Sequence, residues 1–202
     1  MKNKRILSVL LAVVMTFVAL PVATLASDSD WENVNTMIQD DGGDRLVEIS
    51  PFFTIMRPVP IVLQEQTQWC WVGSSVSILA FHGINRTQSE FIRSSLGHTD
   101  NVPGNSQSVI TGLNRAGMVA SSSGPITNGA VLTELDRHAP IILGYLHSHG
   151  GHMVVVWGIN STSDIFHLMC PGLGRNITRT GYELRNGPER RWLTTIRASI
   201  IW

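Results

Sequence analysis

Strong charge, long apolar runs and cysteines are all scarce in this chain, and each scarcity removes a class of function. Charged residues make up only 15% of 202 positions, and 15 Lys+Arg balance 15 Asp+Glu. With a pI near 7.1 and basic residues scattered after residue 40, the electrostatic footprint of a nucleic-acid binder is missing. Beyond the N-terminal region no stretch is long and apolar enough to span a bilayer. Internal repeats are absent, and the only low-complexity tract is "SSSG" at 121–124. Two cysteines, Cys70 and Cys170, cannot make a disulfide-dense scaffold. What remains is 43% hydrophobic, enough for the core of one ordinary domain.

The first residues, "MKNKRILSVLLAVVMTFVALPVATLAS", carry three basic residues, an apolar run from Ile6 to about Leu20, then Pro21 and small residues ending at Ala26. This is the pattern of a secretory signal peptide over 1–26, with no membrane association expected after cleavage. The mature protein is therefore expected to be secreted, where disulfides are permitted. Residues 27–57 are acidic and polar at first, as in a flexible leader or propeptide. They end in "LVEISPFFTIM", which reads as a short strand or an arm laid across the domain.

The folded domain is expected over 58–202, entered through the extended "RPVPIVL". Val72, Val76 and Leu79 fall at helical spacing, and Trp71, Ile78 and Phe81 widen the apolar arc so far that this helix should be buried, ending near His82 and Gly83. Thr87 and Glu90 have capping-box spacing before a helix that stops at Gly97. A third helix is predicted from Ser106 to Ala116, closed by Gly117. A fourth follows, capped by Thr127 or Asn128 and ended by Pro140. Beyond Pro140 the period becomes strand-like: "IILGYLHS", "HMVVVWGIN", "DIFHLMC", "RNITRTGY" and "RWLTTIRASIIW" are β-branched or aromatic runs between turn residues. Helices first and antiparallel strands second predict an α+β domain.

Chemistry points to "QEQTQWCWVGSS" at 64–75, where Cys70 opens the buried helix between Trp69 and Trp71. A thiol there meets the positive end of the helix dipole and free N–H groups, which favour thiolate. His152 follows two glycines and begins a strand, so another layer can approach its imidazole, completing an ion pair. The Cys70 N–H, with the Gln64 side-chain amide six residues upstream, could bind a developing oxyanion. Both tryptophans are expected to be wall and core, and Trp157 core. Two competing readings are a single Cys70–Cys170 disulfide and a metal site on His147, His149 and His152. No carboxylate motif accompanies those histidines, although zinc takes about four ligands.

Gln64, "CW" opening a buried helix, and "GGH" running into "MVVVWG" together resemble the papain-like cysteine peptidases. The compact bacterial secreted forms and their relatives, the bacteriocin-processing peptidases, are the most similar. The resemblance covers roughly 58–202. It implies a helical layer whose central helix carries Cys70, and an antiparallel sheet carrying His152. It also implies peptide or protein substrates, no cofactor, and thiol-dependent hydrolysis. In that family Cys70 would be the nucleophile, His152 the general base and acid, and Gln64 an oxyanion donor. An Asp or Asn before a proline usually orients the imidazole, and here Cys170 occupies that place before Pro171. Asp164 and Asn160 are the other candidates for the orienting role. The departure leaves open a non-catalytic peptide-binding member of the fold. A disulfide would exclude this arrangement, because the two sulfurs should flank one imidazole.

Overall fold

The computed structural model describes residues 54–148, 150–187 and 191–200. The expected signal peptide, most of the expected leader, and His149 lie outside the described residues. In chain order the elements are β1 (Thr54–Met56), α1 (Cys70–Phe81), α2 (Gln88–Leu96), α3 (Ser106–Arg115), β2 (Met118–Ser123), α4 (Asn128–Asp136), β3 (Ile141–His147), β4 (Gly150–Asn160), β5 (Ile165–Cys170), β6 (Arg175–Thr180), α5 (Gly181–Asn186) and β7 (Arg191–Ile200). Seven strands form one antiparallel sheet in the order β2-β7-β3-β4-β5-β6, with β1 added along the far half of β4. This is the α+β architecture expected from the sequence.

Helix limits follow local chemistry. Thr87 Oγ1 accepts from the Glu90 N–H while the Glu90 carboxylate accepts from the Thr87 N–H, and Gly97 closes α2 in the left-handed region at φ 84°. Asn105 caps α3 and Thr127 caps α4. Helix α1 lacks a side-chain cap, and its residues Trp71 to Leu79 are all buried. Packing therefore holds it in place of propensity.

The sheet is covered on both faces. On one face Met153, Val155, Met169, Ile142 and Ile196 pack against α1, α2 and α3. On the other, Val154, Val156, Phe166, Leu168 and Cys170 pack with Val131 and Leu135 of α4 and Leu184 of α5. Successive residues of β4 thus enter opposite cores, which is why "MVVV" shows no polar alternation. The helical layer is consequently less segregated than the sequence suggested: α1–α3 take one face, and α4 and α5 take the other. Thr54–Met56, at the end of the expected leader, is a strand paired with Gly158–Asn160.

Two elements differ from the sequence reading. "MVASSS" forms β2, an edge strand on β7, despite its small polar residues. "RNITRTGY" ends as a strand at Thr180, where a second capping box, with Glu183, starts α5.

Candidate active site

Sheet register builds the site. β5 pairs with β4 only as far as Met169 opposite Val155, after which Pro171 turns the chain away. The start of β4, from Gly150 to Val154, is left without a β5 neighbour, and the first turn of α1 comes against it. The backbone N–H of Met153 reaches the sulfur of Cys70, as do those of Trp71 and Cys70 itself. His152 is the residue immediately before Met153, so the imidazole is carried by the segment of β4 that meets the first turn of α1.

The imidazole is walled on three sides. Tyr145 stands directly across on β3, its ring 5.6 Å away and nearly perpendicular. Cys170, on the same sheet face as His152, puts its sulfur 3.4 Å from Nε2. Gly172 lies along the ring edge, where a Cβ would stand 3.2 Å from Cε1. His147 lies 6.3 Å from His152, ring centre to ring centre.

Protonation states differ from the sequence expectation of an ion pair. Burial pushes the Cys70 thiol up, outweighing the three backbone N–H groups that favour thiolate. Burial, and then the charge of His147, push His152 down to about 4. Both shifts run against a standing thiolate–imidazolium pair.

The segment leading to Cys70 is clamped by groups that the sequence reading did not single out. Trp69 Nε1 donates to Asp100 O at 3.1 Å, and Trp71 Nε1 donates to Val102 O at 3.2 Å. Asn101 accepts from the Gln68 N–H and donates to Thr67. Both tryptophans are buried, as wall and core. Gln88, only 4% exposed, donates to Leu63 O at 2.7 Å and accepts from the Glu65 N–H at 3.0 Å. It grips the chain on either side of Gln64. The one sequence signal was its amide at the first position of a capped helix, which is too common to single out.

Gln64 is less free than the oxyanion reading needs. Its Nε2 donates to Gln66 O at 2.8 Å and to Thr67 O at 2.9 Å. Its Oε1 is buried without a hydrogen-bond partner, 3.4 Å from where a Gly172 Cβ would stand. The Gln64 N–H donates to Pro171 O at 3.0 Å, tying this segment to the turn after Cys170.

The competing readings fare differently. Cys70 and Cys170 are both free thiols, so the disulfide is not formed. Among the described residues no group of three or more His, Cys, Asp or Glu side chains is placed to hold a metal ion. Asp164 accepts from Asn128 and the Tyr182 N–H, and Asn160 accepts from the Ser163 N–H. Both belong to the far end of the β4–β5 hairpin and hold local structure there, whereas Cys170 is the group at the imidazole.

The family model of the papain-like cysteine protease AvrRpt2 matches residues 53–182. The chain belongs to this papain-like cysteine protease family. No curated protein matches it. Three solved structures share the papain-like fold at low identity. The double-glycine motif protease of an AMS/PCAT transporter, solved with its leader peptide, is 14% identical with a TM-score of 0.53, over 72% of this chain and 94% of that one. The peptidase domain of Streptococcus ComA, a bifunctional ABC transporter of a quorum-sensing pathway, is 14% identical with a TM-score of 0.55, over 72% and 99%. A C39-like peptidase from Bacillus anthracis is 12% identical with a TM-score of 0.55, over 74% and 98%. The family match begins at residue 53, taking in β1 of this papain-like protease.

Proposed function

We propose that the protein is a secreted peptidase in which Cys70 attacks the scissile carbonyl while His152 takes the thiol proton and later gives it to the leaving amine. The observation that carries this reading is the convergence of α1 and β4. The Cys70 sulfur accepts from the Met153 N–H, and the preceding residue holds an imidazole against Cys170 at 3.4 Å. With both groups shifted against a standing ion pair, proton transfer accompanies attack. Export rests on the N-terminal signal pattern over 1–26, and residues 27–57 are assigned as the leader, whose Thr54–Met56 pairs with β4.

The Cys70 N–H and Gln64 Nε2 are assigned to the oxyanion. Turning Gln64 toward it releases Gln66 O, which also accepts from the Trp69 N–H at 3.1 Å and so stays satisfied, and Thr67 O, which belongs to an exposed residue. Cys170 is assigned to orient the imidazole. By analogy with the structure solved with a leader peptide, the substrate bound here is a peptide.

A second reading, a papain-like protein that binds peptide without cleaving it, is favoured by the thiol at the orienting position, since a thiol is a weak hydrogen-bond partner. Hydrolysis of a quenched-fluorescent peptide library by the full chain separates the two. Cleavage that disappears in both Cys70→Ala and His152→Ala supports the peptidase. Peptide binding without cleavage in the parent refutes it.

A further inference from the structure

Three large apolar side chains beside the site are more than half exposed: Ile61 at 54%, Leu63 at 61% and Leu173 at 52%. Exposed leucines scattered singly need no explanation, but a cluster does. Leu63 packs over Gly174, its Cδ1 lying 3.1 Å from where a Cβ there would stand, and Gly174 directly follows Leu173. Ile61 and Leu63 are the outward residues of an extended stretch whose alternate member, Val62, packs into the core.

The patch is held rigidly. Gln88 fixes Leu63 O and the Glu65 N–H, and the Gln64 N–H is bonded to Pro171 O. The Leu173 N–H donates to Cys170 O at 3.2 Å. A ligand meeting these side chains therefore orders little additional chain.

We infer that Leu63 and Leu173 form the subsite for an apolar side chain on the leaving-group side of the scissile bond. The inference rests on the proposed peptidase reading, and the chemistry decides the side. During attack the acyl half becomes bonded to the Cys70 sulfur. The amine half departs with a proton from His152, so it lies toward the imidazole. Leu63 precedes Gln64 and packs over Gly174, Leu173 follows Gly172, and a Cβ at Gly172 would stand 3.2 Å from His152 Cε1 and 3.4 Å from Gln64 Oε1. The leaving half thus runs onto Leu63 and Leu173. Neither residue brings a charge to the patch, so it selects aliphatic or aromatic side chains over acidic ones.

Acyl transfer reads this subsite apart from the acyl half. The full chain is acylated with the p-nitrophenyl ester of a blocked amino acid. The Cys70 sulfur bonds to the carbonyl carbon, the ester C–O bond breaks, nitrophenolate leaves, and the thiol proton passes to His152 and from it to solvent. Added leucinamide, glycinamide or aspartamide then attacks the thioester. A C–N bond forms, the C–S bond breaks, and the amine proton returns through His152 to the sulfur.

Leucinamide should capture the acyl group about ten-fold more effectively than glycinamide, with aspartamide weakest. Leu63→Ser with Leu173→Ser should bring leucinamide and glycinamide close to equal, read as the ratio of amide product to hydrolysed acid formed from the same acyl-enzyme, while Val119→Ser, an exposed change on the far edge strand β2, should leave the preference intact. Equal capture by the parent, or a preference that survives the double change, overturns the subsite. Absence of nitrophenol release and of any adduct on Cys70 would instead remove the peptidase reading, and the subsite with it.

Discussion

The Cys170 sulfur lies 3.4 Å from Nε2 of His152, so a cysteine stands where a carboxylate would hold and charge the imidazole. An ionised neighbour would raise the histidine and stabilise the imidazolium formed during attack. With a thiol there, burial and His147 act without opposition, and His152 falls to about 4. The same burial keeps Cys70 protonated. Both departures from an ion pair therefore trace first to burial.

Cys170→Asp introduces that carboxylate. The carboxylate would be buried, since Cys170 is 4% exposed, but it would be paired with the imidazole rather than isolated. The variant should raise kcat/KM about ten-fold or more and move the acid limb of its pH profile upward as His152 becomes easier to protonate. Unchanged activity and an unmoved limb would show that orientation is supplied elsewhere.

Stability should fall in mild acid. The unfolded chain takes up a proton on His152 near pH 6.5, whereas the folded chain resists until about pH 4. The unfolded state binds more protons between those values, so the neutral imidazole's contribution is present above pH 6.5 and is lost as the pH falls toward 4. The loss amounts to at most about 3 kcal/mol. His82, also pushed down by burial, acts in the same direction. Urea unfolding at pH 7 and pH 4.5 measures the change, and His152→Gln should reduce it, leaving the part due to His82.

Gly172→Ala should cost activity without unfolding the protein. The new methyl would stand 3.2 Å from His152 Cε1 and 3.4 Å from Gln64 Oε1, forcing the imidazole to shift by a few tenths of an ångström. A fall in kcat of about ten-fold or more, with an unchanged Tm, is expected. Full activity would show that the ring tolerates the shift.

Arg185 should matter for stability alone. Its guanidinium lies over the rings of Phe166 at 5.4 Å and Trp192 at 4.9 Å, and donates to Ile126 O and Asn128 Oδ1. Arg185→Met should destabilise the fold by about 2–4 kcal/mol in urea unfolding, while activity per folded molecule stays the same.

The legible parts of this fold were those with local causes. Thr87 with Glu90, and Gly97, mark α2 because their hydrogen bonds stay within a few residues. The helix that opens at Cys70 and the strand that carries His152 were legible because the apolar arc of the one and the β-branched run of the other follow in the next few residues. β2 was hidden because "ASSS" has little strand propensity, and its pairing with β7 decides its conformation. Gln88 and the Asp100–Val102 carbonyls were hidden because their partners lie more than twenty residues away. The direction of the Cys70 and His152 shifts was equally out of reach. Helix position and residue type suggest a thiolate, and only burial reverses the balance.

The most direct test is the pH dependence of Cys70 acylation by a peptidyl ester, followed by mass spectrometry in the parent and in His152→Ala. The account predicts a single adduct on Cys70 whose rate rises as the pH passes about 4, where His152 becomes neutral, and which His152→Ala loses. An adduct on Cys170, or a Cys70 rate that His152→Ala leaves unchanged, would contradict it.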